Sequence, residues 1–343
     1  GGEKHHLSGK DVITAINLGY DLSLAFLEGV QGAGMEKKGW NGDTRGALIM
    51  PLVAGKILGL NEDQMESAVG IAGSCHAVFG ILDTPAEEYT MTKNVRFPMM
   101  SYAGIMAAML AGKGFTGPAG MIEGHDGFVH SIMDGEYEVK RLLDFKGKFA
   151  IRETCIKSII ADFSSHGHLT ATLTLAREHD IKPEQVAEIR VTTSKRCAEH
   201  TGDPVKKYPK NKETADHSSY YLTAIAIVDR QIGPNQFTSE KYNDPRVTEL
   251  IGRVTLTGDP ALDKARPAGI SEIVTKDGKT FRQRVDHPRG HARNPMTDQE
   301  VIAKFKDMAS VRMTETQMNR LIESVFALDK LDDIGGLLKL MVF

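Results

Sequence analysis

The sequence is poor in cysteine, balanced in charge and without a long apolar run. Its three cysteines, Cys75, Cys155 and Cys197, are widely separated and odd in number. They suit a reducing, cytoplasmic compartment and supply no CxxC metal pair, and an iron–sulfur cluster needs more thiolates at closer spacing. Lys and Arg number 42 against 45 Asp and Glu, which gives neither a basic face for nucleic acid nor a charged tail. Nothing approaches a membrane span or a signal peptide, so no membrane partner is expected. Hydrophobic residues make up 41% of the 343, which is ordinary for a globular chain, and this length suggests two domains. The first residue is Gly, with a helix signal following almost at once, so a fragment or processed product is expected.

The first 150 residues read as helices. Ser8 with Asp11 makes a capping box ahead of an apolar-periodic run. Thr44 is expected to cap "RGALIMPLVAGKILG", with Gly59 as its stop, and Asn61 with Gln64 to box the next helix. Small side chains (Ala, Gly) let such helices approach closely, and a Met face (Met99, Met100, Met106, Met109) reads as core. "GKGFTGP" lacks the spacing of a phosphate loop and reads instead as a helix stop, a turn and a Pro opening another helix. Near residue 151 the texture changes. "TCIKSII", "AEIRVTTSK", "RVTLTG" and "ISEIVTKDGKTFRQRVD" read as strands, the last a hairpin about Asp277-Gly278. Helices interleave with them, predicting a smaller α+β domain with a mostly antiparallel sheet. From about 296 helix returns, with Thr297 and Glu300 as another capping box. The expected plan is a mainly α body, 1–150 completed by 296–343, with 151–295 inserted as an α+β lid.

Within the body, "MTKNVRFPMMSYAGIMAAMLAGKGFTGP" places Lys93 and Arg96 at the mouth of a helix of small apolar residues, where cations oppose the helix dipole. Asp43 and Thr44 stand at another helix mouth. In the lid, Asp162, Ser165 and His166 lie on a turn entering a helix, where backbone N–H groups and hydroxyls suit an anion. His168 follows in the same stretch and is equally readable as a surface residue. Asp216-His217-Ser218-Ser219-Tyr220-Tyr221 offers an imidazole beside a carboxylate, fit for acid–base work near neutrality.

These stretches, together with "GALIMPLVAGKILGLNEDQMESAVGIA", "AAMLAGKGFTGPAGMIEGHDGF", "IKSIIADFSSHGHLTA", "ADHSSYYLTAIAIVDRQ" and "NPMTDQEVIAKF", resemble the MmgE/PrpD family over the whole chain. The family includes 2-methylcitrate dehydratase, cis-aconitate decarboxylase and related epimerases. The resemblance implies the two-domain fold described above, a homodimer, and a lyase needing neither metal nor cofactor that acts on a small polycarboxylate. A dehydratase of the 2-methylcitrate type is implied by "ADHS" and by Asp-Phe-Ser-Ser after Lys157. Decarboxylation of cis-aconitate and epimerisation remain alternatives, as does a non-catalytic member that binds polycarboxylates. It also implies that the chain starts after a family segment carrying catalytic Asp, Thr and His. Carried over residue by residue, the family's pattern makes Lys93 and Lys157 substrate cations and Tyr221 a phenol that binds substrate or relays a proton; the helix mouths and the turn add Arg96, Asp43, Thr44, Ser165 and His166 as further candidate contacts. Tyr221, His217 and Lys157 become the catalytic candidates, and the expected frame is a cationic cleft between body and lid.

Overall fold

A computed structural model describes residues 2–32, 34–144 and 149–342. Its contacts divide the chain into two units. The first comprises Gly1–Asp83, Thr92–Glu153 and Phe305–Phe343; the second comprises Thr84–Met91 and Thr154–Lys304. Composition gave no sign that the short segment Thr84–Met91 joins the second unit.

The first unit is built on α1 (Gly9–Glu28), α2 (Gly46–Leu58), α3 (Glu62–Cys75) and α4 (Arg96–Ala111). The Ser8/Asp11 and Asn61/Gln64 boxes both form, and Gly59 ends α2 at φ 68°, a left-handed cap that glycine takes without strain. Helices α2, α3 and α4 pack on one another. Small residues allow this: a Cβ on Gly104 of α4 would lie 2.5 Å from the Met50 Cβ and 2.7 Å from the Pro51 nitrogen of α2. The core here holds Phe26, Leu48, Ile49, Phe128 and Met133.

Three local expectations fail in this unit. Thr44 caps nothing; its hydroxyl is bound to the backbone of Val78, and α2 starts without a side-chain cap. Pro118 opens no helix, since the described chain stays irregular until Phe128–Ser131. Of the four methionines read as core, only Met100 is buried, while Met99, Met106 and Met109 are 55%, 38% and 41% exposed. Helix α4 buries its Ala and Gly face instead, because close approach to α2 selects small side chains there.

The second unit holds a four-stranded sheet in the order β2-β1-β3-β4, with β1 Val186–Ser194, β2 Val254–Asp259, β3 Gly269–Thr275 and β4 Thr280–Val285. β1 pairs parallel with β2 and antiparallel with β3, and β3–β4 is the expected hairpin, with Gly278 at φ 85° in its turn. Its longer helices include α5 (His166–Glu178), α6 (Lys195–Thr201), α7 (Ser219–Val228) and α8 (Pro245–Arg253). α5 packs on β3 and β4 and on α7, and the core runs through Leu169, Leu173, Ile189, Ile225, Leu250 and Ile273. "TCIKSII" is not a strand; its Ile156 N–H donates to the carbonyl of Gly290 in a turn beyond β4, and among the described residues it pairs with no strand of the sheet. The chain continues through α9 (Asp298–Ala309), whose Thr297/Glu300 box forms, and α10 (Glu315–Phe326).

Candidate functional site

The second unit gathers a polar cluster from five separate stretches. His217 lies in the turn between the helical turn Lys212–Ala215 and α7, so its ring is fixed by two short elements. The carboxylate of Asp216 is hydrogen-bonded to its Nδ1, and Lys212 Nζ stands 3.0 Å from the other oxygen of Asp216. With Nδ1 occupied, Nε2 faces a second carboxylate, Asp162, at 3.9 Å. Asp162 is positioned by its backbone N–H, which donates to the Asp216 carbonyl at 2.9 Å, and by accepting from the Ser164 N–H at 2.9 Å. Burial pushes the Asp162 carboxyl up, but His217, the Ser164 hydroxyl, His200 and Lys157 together hold it below the usual carboxylate range.

Tyr89 and His200 complete the wall. The Tyr89 ring meets His217 edge-on with centroids 4.8 Å apart, and its hydroxyl lies 3.3 Å from His200 Nε2. Lys206 is 2% exposed and donates to the Tyr89 hydroxyl at 3.2 Å and to the His200 carbonyl at 2.6 Å. Chemically, this is an imidazole oriented by one carboxylate, opposed by another, and set among a phenol and cations. Such a group can take or deliver a proton at Nε2.

The remaining candidates divide clearly. Lys157 is exposed, its carbonyl accepts from Lys304 Nζ, and its charge acts on both Asp162 and His166. Lys157 and His217 are therefore electrostatic neighbours of the same Asp162. Ser165 is fully buried, its hydroxyl 3.3 Å from that of Ser219 and 3.5 Å from that of Thr201, so it stitches α5 to α6 and α7 rather than facing a substrate. His166 is fully buried too, against the Phe163 ring at 5.1 Å between centroids. Burial drives it down to about 4, with Lys157 adding to the effect. His168 is likewise buried, which removes its reading as a surface residue. Tyr221 needs a correction: it lies in the core beside Phe237 and Tyr242, and its hydroxyl donates to the Gln236 carbonyl. That phenol is committed to packing, and burial raises its pKa out of the working range.

In the first unit, Arg96 and Asp43 are also spent locally. Arg96 Nε is 2.6 Å from Asp43, and its guanidinium also binds Asp83, to which Asn41 donates at 2.7 Å. Two carboxylates therefore neutralise the cation read as a substrate contact. Burial raises the Asp43 carboxyl, against the pull of Arg96 and Arg45. Thr44 is closed off by its Val78 bonds. Lys93 sits half-buried in the short 3-10 turn Met91–Asn94 ahead of α4. A cavity of about 730 Å³ in this unit is walled by Val12, Ile16, Tyr20, Val53 and Phe97, an apolar lining unsuited to a polyanion.

Sequence reading missed Tyr89, His200 and Lys206. His200 and Lys206 fall in "SKRCAEH" and "DPVKK", which carry no motif, and only the fold brings them together with Tyr89.

The family model described as the MmgE/PrpD N-terminal domain matches residues 2–140, and that of the C-terminal domain matches residues 161–329. Among curated proteins, the cis-aconitate decarboxylase of Aspergillus terreus is 27% identical over 359 residues, covering 98% of this chain and 71% of that protein. The cis-aconitate decarboxylases of Mus musculus and Homo sapiens are each 26% identical, covering 97% of this chain and 68% and 69% of their own lengths. With both halves matched in order, the chain belongs to the MmgE/PrpD family.

Proposed function

We propose that the chain is a lyase acting on a small polycarboxylate in the cytoplasm, with His217 moving the proton. The observation that supports this most is the Asp216–His217–Asp162 arrangement, in which one carboxylate orients the imidazole and the other faces its Nε2. Decarboxylation of cis-aconitate is the first reading, because the relatives above carry that name at 26–27% identity. In it, a carboxylate leaves as CO2 and the electron pair left on carbon takes a proton from protonated His217. Dehydration of a hydroxy acid such as 2-methylcitrate is the second reading, favoured by the Ala215-Asp216-His217-Ser218 stretch itself. There neutral His217 removes a proton beside a carboxylate, and the β-hydroxyl departs with a proton as water.

Lys157 is assigned the negative charge that develops in either case, acting beside the same Asp162. Neither route needs a cofactor, since each step is a proton transfer coupled to carbon–carbon or carbon–oxygen cleavage. The two readings demand opposite protonation states of one imidazole, so a pH profile distinguishes them. Activity that falls as His217 deprotonates marks decarboxylation; activity that rises marks dehydration. Incubation with cis-aconitate, following CO2, and with 2-methylcitrate or citrate, following absorbance of the unsaturated acid, tests the proposal. No turnover of any of the three would overturn it.

A further inference from the structure

The same wall of the second unit contains a donor set that proton chemistry does not require. One ligand atom from each of Asp162, His200 and His217 lies within 4.8 Å of the other two. We propose that these three residues form a binding site for a divalent transition-metal ion of the Zn2+ class. Zinc takes nitrogen and oxygen ligands at about 2.0–2.2 Å, which puts neighbouring tetrahedral ligand atoms roughly 3.3 Å apart. His217 Nε2 and the Asp162 oxygen are 3.9 Å apart, so closing on an ion needs a shift of only about 0.6 Å in that pair.

An independent feature supports the assignment. A ligating histidine usually gives its other ring nitrogen to a carboxylate, which fixes the tautomer and raises ligand basicity. Asp216 does this for His217, binding Nδ1 and leaving Nε2 turned toward Asp162. Two imidazoles and one carboxylate leave a fourth position for water, the arrangement of an open rather than a closed site. The surrounding charges bear on its strength. Asp162 and Asp216 favour the ion; Lys157 and Lys206 oppose it, and Lys212 is paired with Asp216. The net effect is a site of modest affinity that competes with the proton on His217.

Where His217 is the proton-transfer group, a consequence that rests on the proposed function, bound Zn2+ blocks its Nε2 and inhibits turnover. Binding is read without turnover, so the two ideas fail separately. Zn2+ is titrated calorimetrically into the full chain, and Co2+ is followed by its visible absorption bands. We expect one equivalent of each, with at least a tenfold loss of affinity in Asp162→Asn and in His200→Asn. Asp216→Asn is expected to weaken binding by about 10–100-fold through loss of ring orientation. His287→Asn, removing one of a stacked pair of rings whose centroids lie 4.6 Å apart elsewhere in the unit, should change nothing. X-ray absorption of the Zn2+-loaded wild type should count two histidines, a reading independent of how the variants fold. Unchanged affinity in both ligand variants, or a spectrum with no histidine, would overturn the assignment.

Discussion

His166 and His168 are buried imidazoles that set an acid limit on the second unit. Both are fully buried, neither ring nitrogen of His168 has a hydrogen-bond partner among the described residues, and burial lowers the two to about 4 and about 3. Such imidazoles stay neutral in the folded chain and are protonated in the unfolded chain below pH of about 6.5. Their stabilising contribution is therefore whole above that pH and is lost as pH falls towards 4 for His166 and 3 for His168. Each should steepen the loss by roughly 1.4 kcal/mol per pH unit within its window. Urea unfolding at pH 7, 6 and 5 measures this, and His168→Gln should flatten the slope by about one proton; an unchanged slope would refute the assignment. At His217 the expectation is kinetic. His217→Asn should lower kcat by about 10²–10⁴-fold with little change in folding, as removal of a general acid–base does. His217 was legible because its carboxylate precedes it directly. Tyr221 was misread because Ser-x-x-Tyr fits a helix face turned to a core as well as one turned to a site.

Helices carry a different lesson. Periodicity placed α1 to α4, and the local capping boxes of α1 and α3 formed as expected, yet it could not say which face of α4 is buried. Val95, Met99, Tyr102, Met106 and Met109 are all exposed and recur at alternating intervals of four and three. That spacing is a coiled-coil seam, and α4 has a single charge, Arg96 at its first position. We propose that this stripe pairs with that of a second copy, giving a homodimer. Met106→Glu should shift sizing chromatography to the monomer, whereas the same elution volume would rule this face out. Close contact also governs α5. A Cβ on Gly167 would lie 2.1 Å from the Pro267 carbonyl oxygen and 2.5 Å from the Gly269 nitrogen, both backbone. Gly167→Ala should cost about 1–3 kcal/mol by pushing α5 off β3, read as a lowered urea midpoint. "TCIKSII" shows the converse limit: alternation suited it to a strand, but among the described residues it pairs with no strand.

At the scale of the whole chain, the shift in texture near residue 151 was visible because β-branched alternation replaces Ala-rich helices. What composition could not show is that Thr84–Met91 joins the second unit, bringing Tyr89 to His200 and His217. That excursion is a tertiary fact, and with it the candidate site moved from the cations of α4 to an imidazole flanked by two carboxylates. Among the described residues no helix is long and apolar enough to cross a membrane. The account stands on His217 as the proton-transfer group of a polycarboxylate lyase. Its most direct test is the rate of CO2 release from cis-aconitate, measured across pH 5 to 9 for the chain and for His217→Asn. The account predicts turnover in the former and a fall of at least about 10²-fold in the latter. Equal rates in the two, or none in either with cis-aconitate, citrate and 2-methylcitrate alike, would contradict it.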